Sequence, residues 1–332
     1  MRIAVDAMGG DNAPGEIIKG AIEAAKTGKG TFEVVLVGDK NILKKHIEFL
    51  KVEIPVKIIN APEIIDADEL PTVALKKTNS SISIAAELQK KGEIDAFISA
   101  GNTGAVMAFS LLTLGRIEGV SRPALGAFFP TKKGFTMVLD VGANSDCNPT
   151  YLLQFGIIGH IIAEGILEKD KPKIGLLNIG KENKKGNKLV RKAYALLEKA
   201  PINFIGNIEG MDIMNGKCDV VVCDGFTGNI ILKFGEGLIN LIFDTIKSYI
   251  GSNWQQKLSV LFPKSPVSSF VKRMSYDEYG GAPLLDVDGI TIVCHGRSNA
   301  KAITNAIFTA KRFKEARIND LIRETFSRVI EG

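Results

Sequence analysis

Asp219–Asn229 reads DVVVCDGFTGN: an unbroken β-branched run, then a turn of Asp, Gly, Thr, Gly and Asn, with the apolar segment IILKFGEGLINLIF immediately after it. A strand that is apolar at successive positions is covered on both faces, which is the condition of a parallel strand inside an α/β fold. Five other stretches end an apolar run in the same way: DAMGGD at Asp6–Asp11, SAGNTG at Ser99–Gly104, DVGAN at Asp140–Asn144, NIGKENKKG at Asn178–Gly186 and HGRSN at His295–Asn299. Glycine lets backbone N–H groups converge, a following helix adds its positive end, and hydroxyl and amide side chains donate further bonds. Such strand-to-helix turns suit an anion, phosphate above all.

Outward from these turns the chain alternates short apolar runs with longer amphipathic ones. The runs Ile3–Val5, Val34–Val37, Val56–Ile59, Ala96–Ile98, Ala127–Phe129, Met137–Leu139, Ile174–Leu177, Asn203–Ile205, Val220–Cys223 and Ile290–Val293 read as strands. Helices are predicted over Ala13–Lys26, Ser80–Lys91, Thr103–Leu114, Pro149–Glu168, Asn187–Lys199, Gly228–Ile250 and from Ser298 to the C-terminus, with Ser80, Thr103 and Ser298 as N-caps. The expectation is a mostly parallel α/β sheet in one large domain over residues 1–332, since no long Pro, Gly or Ser linker divides it.

At 332 residues and 45% apolar content the chain can bury a large core. A net charge of +5, with the bases scattered and only five Tyr and one Trp, argues against nucleic acid as a partner. MRIAVDAMGGD has two aspartates and no apolar h-region, and no run reaches the length of a spanning helix, so a cytosolic or membrane-peripheral protein is expected. Cys147, Cys218, Cys223 and Cys294 lack metal-ligand spacing and read as reduced thiols. Lys247–Tyr276 carries five bases and no acid among apolar residues such as Leu261, Phe262, Phe270 and Val271. It reads as amphipathic helices that pack on their own domain or a dimer partner, or that meet anionic lipid or an acidic protein.

Each turn admits a functional and a structural reading. Gly101, Asn102, Thr103 and Gly104 form an anion site or a tight turn. Asp224, Gly225, Thr227, Gly228 and Asn229 repeat the pattern, with Asp224 either accepting a proton or capping the turn. His295 sits among glycine and donors, unlike His46 and His160, which fall within helical patterns. Lys181 and Lys185 belong to a basic run that is a solvated helix face, a landing patch or a phosphate clamp. Asp140 and Asp146 lack a third carboxylate nearby, so no metal is expected, and Cys147 has no adjacent activating histidine. No dinucleotide or P-loop motif occurs, and no cofactor is expected.

In order along the chain, DAMGGDNAP, SAGNTGAVMA, DVGANSDCNP, NIGKENKKGN, VVVCDGFTGNIILK, YGGAPLL and HGRSNAKAITNAI resemble the bacterial acyl-(acyl carrier protein):phosphate acyltransferase family of phospholipid synthesis. The resemblance implies a three-layer α/β/α sandwich like those of phosphate acetyltransferases and the isocitrate and isopropylmalate dehydrogenases. It implies a homodimer that moves a fatty acyl group from acyl carrier protein to inorganic phosphate, in the cytosol or at the inner membrane face. A short-chain enzyme using a coenzyme A thioester would share the fold, and a membrane scaffold built on Lys247–Tyr276 is a third reading. For acyl transfer to phosphate, Asn102, Asp224 and His295 are the expected catalytic residues and Gly101, Thr103, Gly104, Gly225, Thr227, Gly228, Asn229, Ser298, Lys181 and Lys185 the expected substrate contacts. Two departures from relatives stand out: Thr78 interrupts a basic run in LPTVALKKTNSS, and Asp286 stands where relatives commonly have glycine.

Overall fold

The computed structural model describes residues 1–50, 56–250, 277 and 280–331. The 247–276 segment lies outside them from residue 251 on. The elements, in order, are β1 (Arg2–Asp6), α1 (Gly15–Gly28), β2 (Glu33–Gly38), α2 (Lys40–Phe49), β3 (Lys57–Asn60), α3 (Pro71–Ala74), α4 (Ser81–Lys90), β4 (Ala96–Ser99), α5 (Thr103–Phe109), β5 (Ala124–Thr131) and β6 (Gly134–Leu139). There follow α6 (Pro149–Gly165), β7 (Ile174–Leu177), α7 (Lys188–Leu197), β8 (Phe204–Ile208), α8 (Gly210–Met214), β9 (Val220–Val222), α9 (Gly225–Ile250), β10 (Ala282–Leu285), β11 (Ile290–Val293), α10 (Ala300–Glu315) and α11 (Ile318–Glu331).

The strands of the described residues join one 11-stranded sheet in the order β3-β2-β1-β4-β11-β10-β5-β6-β9-β7-β8. Its sides alternate as the apolar runs predict: Ile3, Val5 and Ile98 face a core under α1, α6, α7, α10 and α11, whereas Ala4 and Phe97 face a second core under α4, α5, α8 and α9. Three layers result, α/β/α.

The sheet reverses direction at its middle. Strands β3, β2, β1, β4 and β11 run parallel; β10 is antiparallel to both β11 and β5, and β6 is antiparallel to β5. Strands β9, β7 and β8 follow β6 in parallel. Turns after β1, β4 and β11 therefore open at one end of the sheet, and those after β6, β7 and β9 at the other. Periodicity in sequence reports that strands are buried, not which way they point.

Caps correct two expectations. Ser80 accepts from Ser83 N at 3.3 Å as predicted, but Asn102 caps α5 in place of Thr103, and Asn299 caps α10 in place of Ser298. An Asn side chain one residue before the helix reaches the third N–H with the geometry the cap needs. Helix α2, capped by Asp39, and strand β10 are additions to the sequence reading. The C-terminal helix is two helices, broken at Arg317, whose φ of 53° is left-handed. No helix among the described residues is long and apolar enough to cross a membrane.

Candidate active site

The glycine turns of the first half pack on one another. Asp6, buried at the end of β1, accepts from the N–H groups of Met8 and Gly9, both at 3.1 Å, and from Ser99 Oγ at 2.6 Å. A Cβ on Gly9 would stand 2.7 Å from Gly101 N, so glycine at position 9 is what lets the two backbones touch. Asp11 N–H donates to Gly296 O at 2.8 Å, which closes the third turn onto the first.

In the second half Asp140 does the same work at the end of β6. It accepts from Leu125 N, Gly142 N, Ala143 N, and Asn144 N and Nδ2, at 2.8 to 3.2 Å. Burial raises the affinity of both carboxyls for protons, and these bonds oppose it. Gly225 N–H donates to Asn144 O at 2.8 Å, and a Cβ on Gly228 would fall 1.9 Å from Asp140 O. These glycines seat α9 on the Asp140 turn.

Several predicted donors are thereby spent on the protein itself. Asn102 is 9% exposed; its Oδ1 caps α5, and its Nδ2 donates to the carbonyls of Asp66, Ala67 and Glu69 at 3.2, 3.0 and 2.7 Å. It holds the 66–69 loop on the helix, the tight-turn alternative for this residue. Asp224 accepts from Thr227 N and Oγ1 at 2.9 and 2.8 Å, the turn-capping alternative, so this carboxylate and this hydroxyl answer each other. Gly104 abuts Pro71, and Gly101, Gly225 and Gly228 sit against backbone or carboxylate atoms of neighbouring turns. Lys181 lies 3.5 and 3.7 Å from Glu209 and Asp212, and neither it nor Lys185 is among the cavity's lining residues.

The structure brings the remaining candidates together. A cavity of about 330 Å³ crosses the sheet beneath α9, from Gly142 and Asn229 at one end to Thr103, His295 and Ser298 at the other. Leu125, Ala127, Phe129, Val141, Leu232 and Ile239 give it an apolar wall. Ser298 Oγ is buried in this wall, and no hydrogen-bond partner for it lies among the described residues.

His295 is half-buried. Its Nδ1 accepts from Arg297 N–H at 3.1 Å, which leaves the proton of the neutral ring on Nε2. Burial above all holds its pKa below the usual histidine value, with Lys233 and Arg297 acting the same way against Glu236 and Asp11. The ring is thus neutral at neutral pH, an N–H donor rather than a cation. By contrast, burial pushes the Cys147 thiol up to about 11, which keeps it out of the thiolate form a nucleophile needs.

Lys233 and Glu236 escaped the sequence reading because a long amphipathic helix hides its functional face. The signal was spacing: Asn229, Leu232, Lys233, Glu236 and Ile239 fall at helical intervals and all line the cavity.

A family model described as a fatty acid synthesis protein matches residues 1–321. The phosphate acyltransferase of Pelotomaculum thermopropionicum is 47% identical over 330 residues, covering 99% of this chain and 96% of that one. Among solved structures, a phosphotransacetylase from Streptococcus pyogenes superposes with a TM-score of 0.63 at 16% identity, covering 96% and 94% of the two chains. A proposed 4-hydroxythreonine-4-phosphate dehydrogenase from Salmonella typhimurium gives 0.52 at 13% identity, covering 94% and 99%. The two structures share the fold; the sequence match, unbroken across both halves of the sheet, carries the activity, and the chain belongs to the phosphate acyltransferase family of fatty acid and phospholipid synthesis.

Proposed function

We propose that the acyl donor is the phosphopantetheine thioester of acyl carrier protein, that inorganic phosphate attacks it inside the cavity beneath α9, and that the product is a long-chain acyl phosphate. The observation that carries this reading is the cavity's composition: an apolar wall for an alkyl chain, with Thr103, His295, Ser298 and Asn229 as hydrogen-bonding groups around it. Phosphate is an oxyanion at neutral pH and needs no protein nucleophile. It needs to be held in line with the carbonyl while the oxyanion that forms there is stabilised.

A phosphate oxygen forms the new bond to the carbonyl carbon, the tetrahedral oxyanion accepts from His295 Nε2–H, and the carbon–sulfur bond breaks as it collapses. The proton of the hydrogen phosphate dianion ends on the departing thiol, so charge and atoms balance. Ser298 Oγ and Thr103 Oγ1 position the phosphate, while Asn229 bounds the far end of the cavity. Each of these roles is part of the proposal.

The enzyme works as a homodimer in this reading. Phe226, Ile230, Phe234, Leu238 and Leu241, 43 to 72% exposed, form a ridge on α9 turned away from the cavity. The 247–276 segment, with its bases and apolar residues, would carry the contact with an anionic membrane.

The test is to supply purified protein and phosphate with a long-chain acyl carrier protein or with acyl coenzyme A, and to follow acyl phosphate by mass spectrometry and free thiol by titration. Acyl phosphate should form from the carrier thioester without added metal or nucleotide and persist in chelator. Product from short coenzyme A thioesters alone would replace this reading with the coenzyme A-dependent one.

A further inference from the structure

Glu236 lies seven residues beyond Asn229, so both side chains leave the cavity face of α9. Its side chain is 24% exposed and meets Lys233 Nζ at 3.2 Å and His295 Nε2 at 3.8 Å. The latter separation is beyond a hydrogen bond, yet within the range where a partly buried carboxylate acts strongly on a ring. On the opposite edge Arg297 N–H holds Nδ1. His295 is therefore set between a backbone donor on its own turn and a carboxylate delivered from the far half of the sheet. The charged groups acting on it among the described residues include Glu236 and Lys233 of α9, Arg297 of its own turn and Asp11 of the turn after β1.

We propose that Glu236 is a positioning residue for acyl transfer: it keeps the Nε2–H edge of His295 turned into the cavity and sets the pH at which the ring takes a second proton, while Lys233 keeps the carboxylate aimed. This rests on the reading of His295 as the donor to the thioester oxygen. The arrangement also ties chemistry to closure, because α9 starts on the Asp140 turn of one half and brings Glu236 to the His295 turn of the other. The two halves must be correctly apposed for the ring to be held.

The direct measurement is nuclear magnetic resonance of the imidazole rings. The chain has three histidines, and the His295 signal is the one missing from His295→Gln. Glu236→Gln removes the attraction for a second proton, so the His295 titration should move to lower pH by on the order of one unit. The acid limb of kcat/KM should move with it, and kcat should fall roughly tenfold through looser ring placement. Phosphate titrates identically in both enzymes and drops out of the comparison. Glu236→Asp keeps the charge and should hold the limb near its original pH. Lys233→Met should shift the titration upward, which gives an opposite-signed check if Glu236→Gln folds poorly. An unmoved His295 titration in Glu236→Gln, or equal shifts with Gln and Asp, overturns the assignment. Undiminished turnover in His295→Gln would instead break the underlying reading of His295, whatever the titrations show.

Discussion

The two halves of the sheet end in near copies of one device, with opposite consequences. Asp6 and Asp140 are both buried carboxylates at a strand end that gather the N–H groups of the following glycine turn. In the first half the turns lock to each other, and Thr103, His295 and Ser298 are left facing a cavity. In the second half the turn is sealed by a helix: Gly225 and Gly228 let α9 sit on the Asp140 backbone, and of DGFTGN only Asn229 reaches the cavity. A glycine-rich turn after a strand is thus as capable of gripping protein as of gripping phosphate, and its neighbours decide which.

The sharpest way to break this contrast is Gly228→Ala. The new methyl would meet Asp140 O at 1.9 Å and Cys223 Sγ at 3.0 Å, where backbone cannot yield. The loss should exceed the roughly 1–3 kcal/mol of ordinary overpacking and deplete soluble folded protein. Gly296→Ala meets nothing closer than Asp11 Oδ1 at 3.6 Å and should melt with the wild type. Circular dichroism melts of the pair check it; equal melting would remove the claim that α9 is seated through glycine.

Next in size is a pair that separates chemistry from architecture. His295→Ala should lower kcat on the order of 10²- to 10³-fold with an unchanged melt, as for a donor aimed at developing charge. Asn102→Ala should do the reverse. It removes a cap worth about 1 kcal/mol and strips three loop carbonyls of their donor, for a loss of about 2–4 kcal/mol, while the folded fraction turns over within a fewfold of wild type. A stable, inactive Asn102→Ala would return that residue to the reacting centre.

These pairs also mark how far the sequence could be read. Val220–Val222 and Ile3–Val5 announce buried strands because both their faces are apolar, and the seven ordered motifs carry the family. The reversal of the sheet was hidden, since a strand's hydrophobic pattern is the same in either direction. Asn102 was ambiguous because cap and anion donor are the same side chain at the same turn. Glu236 was missed because helical spacing matters only once a partner face is known.

Asp286 tests a place where this chain's own sequence strains the common frame. Its φ of 72° is left-handed, and neither carboxyl oxygen has a partner among the described residues. Burial first, then the nearby Asp140, raise its pKa well above the carboxylate range. An acid raised in the folded state gives stability that is full below its unfolded pKa and lost as pH rises through the folded one. Asp286→Asn cannot ionise, so the variant should match wild type near pH 4 and gain on it above, by up to about 1.4 kcal/mol per unit until Asp286 ionises. Denaturant midpoints at pH 4, 6 and 8 measure the gap; a constant gap would mean the carboxyl is solvated.

The smallest expected effect sits at the turn after β7, where Lys181 bears on whether the second half touches phosphate at all. Its side chain is 55% exposed and stands 3.5 and 3.7 Å from Glu209 and Asp212. Exposed pairs of this kind contribute about 0–1 kcal/mol, and a lysine already facing two carboxylates is a poor phosphate clamp. Lys181→Ala should therefore shift the melt by no more than a degree or two and leave KM for phosphate within about twofold, as for a surface change away from the site. Steady-state kinetics across phosphate concentrations decide it. A tenfold rise in KM with kcat preserved would show that this turn reaches the substrate when the enzyme is at work, and that the division between a chemical half and a structural half is wrong.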